Sequence, residues 1–81
     1  MRRAPHEYDT ELLYNGEVVT LGAMAYRGRT VLPPGPNQFV PLEEWARGVA
    51  EQLGGPVSWR ASSEGRIIEE GTVYPAGDTE Q

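Results

Sequence analysis

The chain contains no cysteine, no lysine and only one histidine among its 81 residues. Without thiols it has no disulfide scaffold, no thiolate zinc site and no cysteine nucleophile. One imidazole, His6, and two scattered methionines are too few ligands for a copper or zinc sphere. The missing lysine leaves seven arginines facing twelve carboxylates, for a net charge of -5. Phosphate backbones and anionic membranes are bound by clustered positive charge. Here the only paired bases are Arg2-Arg3 and the Arg27 and Arg29 that flank Gly28, so no nucleic acid is expected as a partner. A long apolar run is also missing. Val18 to Tyr26 is the longest uncharged one, far short of the roughly 20 residues of a membrane-spanning helix. No apolar stretch follows Arg2-Arg3, so no signal peptide is seen. The expected location is cytoplasmic, or extracellular or virion-borne for a trimmed or phage-derived chain.

What is present suits one small domain. A chain of 81 residues buries about 60% of its unfolded surface, which permits a single core. Apolar residues at 38% and charged residues at 23% fit a globular domain and not a disordered one. Ten glycines and seven prolines give turns much of the length. The expected organisation is an N-terminal extension over 1–7, an α+β domain over 8–75 and a disordered tail over 76–81.

Asn15-Gly16 between Tyr8–Tyr14 and Glu17–Leu21 predicts a β-hairpin, because both central positions of a type I′ turn need positive φ. A short strand over Ala23–Tyr26 is expected next, then a turn at Arg27-Gly28-Arg29 with Thr30–Leu32 returning from it. Pro33, Pro34 and Pro36 remove three backbone donors, so Pro33–Gln38 is a stiff loop. Leu42, Trp45, Ala46, Val49, Ala50 and Leu53 follow a 3.6-residue period and predict one amphipathic helix. Pro41 fits its first turn, Glu43 and Glu44 complement its dipole, and Gly54-Gly55-Pro56 stops it. Val57–Ala61 alternates at period two, Ser62–Gly65 is turn chemistry, and Arg66–Glu69 and Thr72–Tyr74 pair back around Gly71. The fold class is therefore α+β, a small antiparallel sheet of about five strands packed against a single helix. Leu42, Trp45, Val49, Leu53, Val57 and Trp59 are its expected buried core, the two tryptophans packing inside and not serving as ligand platforms.

Candidate chemistry is sparse. His6 with Glu7, Asp9 and Glu11 forms an acidic cluster whose carboxylates alternate onto one strand face, but a calcium site wants six to eight oxygens on a shaped loop. Ser62 and Ser63 lie in a turn without a nucleophile elbow. Glu43-Glu44 and Glu69-Glu70 are adjacent in sequence, so within each pair the side chains do not face each other. Gly54-Gly55 ends a helix, whereas phosphate binding wants glycine before one. The expectation is no enzyme, no cofactor and no metal.

Several pieces in order carry a resemblance: Asn15-Gly16, Gly28-Arg29-Thr30, Val40-Pro41-Leu42, Arg47 through Gly54 with Ala50-Glu51, and Val57-Ser58-Trp59. Over about residues 11–74 the chain resembles the copper amine oxidase N-terminal-like, or stalk, domain family. Two insertions depart from that pattern, Val31–Phe39 and the helical turn Glu43–Ala46, and Arg60 stands where an acidic or amide residue is common. The resemblance implies a small antiparallel sheet wrapped on one helix, with no copper of its own, used as a binding or spacing module. The contact surface is then expected at Tyr26, Arg27 and Arg29 with the loop residues Pro33, Pro34, Pro36, Asn37 and Gln38, because loops on rigid scaffolds carry function. The partner is a protein or another macromolecule. A free-standing phage inhibitor or accessory protein, and a homo-oligomerising spacer, are the alternative roles.

Overall fold

Asn15 and Gly16 take φ of 55° and 83°, and the type I′ turn they form joins β1 (Glu7–Tyr14) to β2 (Glu17–Val18). The structure is a computed structural model that describes residues 7–75. The expectations placed on His6 and on residues 76–81 lie outside the described residues. Glu7 is already part of β1 and not of an extension.

β1 is the inner strand on which the sheet is assembled. Its second half pairs with β2 and its first half, on the same side, with β5 (Arg27–Val31). Along its other side runs β6 (Val57–Ser63), followed by β7 (Arg66–Val73), and every pairing is antiparallel. Between β2 and β5 the chain leaves the sheet as a separate two-stranded ribbon, β3 (Thr20–Leu21) with β4 (Met24–Ala25).

Three backbone hydrogen bonds close the base of that excursion. Val19 N–H donates to the Leu12 carbonyl at 2.9 Å, Tyr26 N–H to the Val19 carbonyl at 2.8 Å, and Leu12 N–H to the Tyr26 carbonyl at 3.0 Å. Leu12, Val19 and Tyr26 thus form a hydrogen-bonded ring in which each residue satisfies its neighbour, so no backbone group is orphaned where the strand splits.

This arrangement corrects the expected turn at Arg27-Gly28-Arg29. Those residues are extended in β5, and the reversal falls earlier, at Gly22 (φ 63°) and Ala23 in the ribbon. Gly28 has no positive φ, so nothing local forces a turn there, and pairing with β1 decides the conformation. Gly71 likewise does not divide the last strand, because β7 runs unbroken through it.

The single helix α1 (Val40–Leu53) covers one sheet face. Pro41 lies in its first turn and the Gly54 N–H closes its end on the Ala50 carbonyl at 2.8 Å. Leu42, Ala46, Val49 and Ala50 are buried against Leu12, Val57, Trp59, Ala61 and Val73. Trp59 stacks on Phe39 at 5.7 Å between centroids and lies across Gly71, its partner on β7. A Cβ at Gly71 would meet the Trp59 Nε1 at 2.9 Å, so the missing side chain is what seats the indole. Two expected core residues are less covered. Trp45 is 37% exposed, with one face stacked on Tyr26 (5.7 Å, 13°), and Leu53, the last residue of the helix, is only half-buried. Among the described residues no helix is long and apolar enough to cross a membrane.

Gly71→Ala should lower the unfolding free energy by about 1–3 kcal/mol through displacement of the indole. Gly28→Ala, whose Cβ meets nothing within 4 Å, should change it by less than about 0.5 kcal/mol. Leu12→Ala should cost about 2–5 kcal/mol, all three read by urea denaturation.

Candidate functional site

A strand places alternate side chains on opposite faces. In β1, Thr10 and Leu12 turn toward the helix and are buried, which sends Glu7, Asp9, Glu11 and Leu13 to the other face. Among the described residues no element covers that face. The register then sets its composition. Glu11 opposes Arg27 on one side and Arg60 on the other, and Arg60 opposes Glu70. One row across four strands therefore reads Arg27, Glu11, Arg60, Glu70, alternating in sign at each step. The neighbouring row reads Arg29, Asp9, Ser62, Ile67.

Arg60 is held at the centre of the first row. Its Nη1 donates to Glu11 Oε2 at 3.1 Å and its Nε to Glu70 Oε1 at 3.3 Å. With both neighbours on the one guanidinium, Arg27 at the end of the row makes no ion pair among the described residues. Arg29 is 59% exposed and reaches Glu7 and Asp9 only at 3.7 and 3.9 Å. These are weak contacts for a guanidinium, whose charge-assisted hydrogen bonds close to about 2.7–2.9 Å. The result is a wide, shallow groove of about 870 Å³, walled by Arg27, Arg29, Arg60 and Ile67.

On the helix side of the same strand lies a smaller notch of about 270 Å³ between Met24, Tyr26, Gly28 and Trp45. Buried Thr10 forms its floor, bonding its Oγ1 to the Gly28 carbonyl at 3.1 Å and to Thr30 Oγ1 at 3.0 Å. β5 is thus a narrow wall with a charged groove on one side and an aromatic notch on the other.

The expected contact residues divide among three places. Arg27 and Arg29 stand together on the uncovered face. Tyr26 is on the helix side, stacked on Trp45. Pro33, Pro34, Pro36 and Asn37 are exposed along the connection that carries the chain from β5 to the helix layer, while Gln38 is half-buried and accepts a 3.4 Å hydrogen bond from the Tyr8 hydroxyl. Sequence reasoning missed Arg60, Glu11 and Glu70 as one set. The alternation of Val57–Ala61 does place Arg60 opposite the core face, but of its partners Glu70 lies 10 positions away and Glu11 49.

The candidate chemical groups of the sequence lie apart among the described residues. Glu69 and Glu70 project to opposite faces, Ser62 opposes Asp9 with no imidazole among the described residues, and there no group of three or more His, Asp or Glu is placed to hold a metal ion. The acidic triple on β1 instead faces the arginines of its neighbouring strands. No family model, curated protein or solved structure matches the chain.

A double-mutant cycle on Arg60→Ala and Glu70→Ala should give a coupling of about 0.2–1 kcal/mol, since both groups are partly solvated. That coupling should shrink between low and molar salt. A coupling unchanged by salt would contradict the solvated geometry.

Proposed function

We propose that the protein is a non-enzymatic binding module of the stalk-domain type, which holds a protein partner at the uncovered sheet face. The observation that carries this reading is the pair Arg27 and Arg29, side by side on β5, with the first lacking an ion partner among the described residues and the second only loosely engaged. Arginine is the side chain best suited to pair bidentately with a partner's carboxylates, and it is over-represented among residues that dominate binding energy. Pro33, Pro34 and Pro36 follow β5 on the exposed connection to the helix layer. Their restricted backbone lowers the entropy lost when a partner orders the segment. The resemblance to stalk domains supports the same role, because that family is read as binding or spacing modules.

The test is capture of partner proteins from a native lysate on immobilised protein. Arg27→Ala with Arg29→Ala should abolish capture while the melting temperature stays within a few degrees, as expected for exposed side chains. Replacing Pro33–Gln38 by a Gly/Ser segment of equal length should weaken capture of the same protein. Absence of any captured protein, or equal capture by both variants, would overturn the reading.

A further inference from the structure

We propose that β5 takes up an extended segment of the partner as an added strand, and that this segment reads acidic, apolar, acidic. The inference rests on the binding-module reading and assigns it a mode and a partner chemistry.

The first support is the edge itself. Among the described residues β5 pairs with β1 alone, which leaves its outer side open there. The Tyr26 carbonyl is turned inward to Leu12, and antiparallel ladders alternate, which turns the N–H and C=O groups of Arg27, Arg29 and Val31 outward. Such edges are commonly shielded by bulges, charges or proline. The opposite edge, β7, has these devices, a register shift beside Ala61/Ser62 and the carboxylates Glu69 and Glu70. Across Arg27–Val31 there is no bulge and no proline, and its charges are Arg27 and Arg29, which turn away a cationic or apolar strand and suit an acidic one.

The second support is Gly28. Its φ is ordinary and a Cβ there would meet nothing within 4 Å, so neither backbone nor packing requires glycine. Glycine inside a strand weakens it, and it marks places where another backbone approaches closely. Gly28 lines both hollows, and its missing side chain leaves the notch open at the strand.

The third support is alternation. On an added strand, the residues opposite Arg27 and Arg29 lie two apart and share the uncovered face, where carboxylates would complete the charge row. The residue between them, opposite Gly28, points to the helix side and into the notch beside Met24 (64% exposed) and Trp45 (37%). Main-chain bonds then supply affinity and the alternate side chains specificity. A second copy's β5 does not satisfy this edge, since it would set arginine against arginine on one face.

The experiment is a titration of the full isotope-labelled chain with a capped synthetic peptide in which Asp-Leu-Glu is set in a threonine background. Saturable NMR shifts should centre on the amides of Arg27–Val31 and the indole N–H of Trp45. Arg27→Glu with Arg29→Glu should weaken binding by about tenfold or more, and a Lys-Leu-Arg peptide should then bind this variant better than the wild type. Gly28→Val, whose Cβ meets nothing within 4 Å and whose methyls enter the notch, should lose the peptide, with the melting temperature and the unchanged amide spectrum of the other strands checking that the fold is kept. No saturable shift up to about 1 mM peptide, shifts centred on β7, or equal binding of a Leu-Asp-Glu peptide would overturn the inference. Lysate capture unaffected by Gly28→Val would also overturn it, while leaving the binding-module reading intact.

Discussion

Leu12 is wholly buried and stands where three strand ends converge, its N–H bonded to Tyr26 and its carbonyl to Val19, with Val19 and Tyr26 bonded to each other. This ring lets one strand serve two partners on the same side. Without it, the segment after the Asn15-Gly16 turn would have to continue along β1 as a plain hairpin, and Arg27–Val31 would have no place in the sheet. Because the ring spends every donor and acceptor at the split, the ribbon of β3 and β4 departs without unsatisfied backbone groups. The side chains of Val19, at 4% exposure, and Leu12 then pack into the core and anchor the split from below.

A single helix on a four-strand-wide sheet leaves the other face to water. The fold answers with charge in place of apolar surface. Arg60 gathers Glu11 and Glu70 into a triplet of net charge -1, and Arg27 at the β5 end brings the row of four to zero. The protein as a whole carries net -5. The arginine pair on β5 is therefore a local inversion of the global sign. An acidic segment is attracted to that pair only within about a Debye length, near 8 Å at physiological salt, beyond which charges of both signs are screened. Such a field favours register and selectivity over speed of encounter.

Much of the fold was legible because its signals are local. Asn15-Gly16 demands positive φ, the Leu42-to-Leu53 stripe has one period, Gly54 closes the helix, and the alternation of Val57 to Ala61 marks the core face. Errors arose where a long-range pairing overrode a local cue. Arg27-Gly28-Arg29 looks like a turn by composition, yet the ladder to Glu11, Thr10 and Asp9 extends it. Trp45 has the period of a core residue, but burial depends on how far the sheet reaches beneath the helix, and here Tyr26 covers only one ring face. The candidate site was half legible. Arg27 and Arg29 could be singled out as unusual charges in an acidic chain. Their setting beside Arg60, Glu11 and Glu70 follows from register, which no single segment encodes.

The placement of the earliest strand at the centre of the sheet has a consequence for the order of assembly. The Asn15-Gly16 and Glu64-Gly65 hairpins and the helix each form from near neighbours, on the microsecond scale typical of such elements. β1, however, becomes an interior strand only when β6 arrives, and Glu11 meets Arg60 across 49 positions of chain. Closing that loop is the step with the largest entropic cost, and the contacts that offset it appear together as the helix stripe meets Leu12 and Trp59. During synthesis the β1 half-sheet must wait, with one long side unpaired, until the distant hairpin emerges. The carboxylates Glu7, Asp9 and Glu11 on that waiting strand keep it charged, and so hold it back from pairing with another nascent chain.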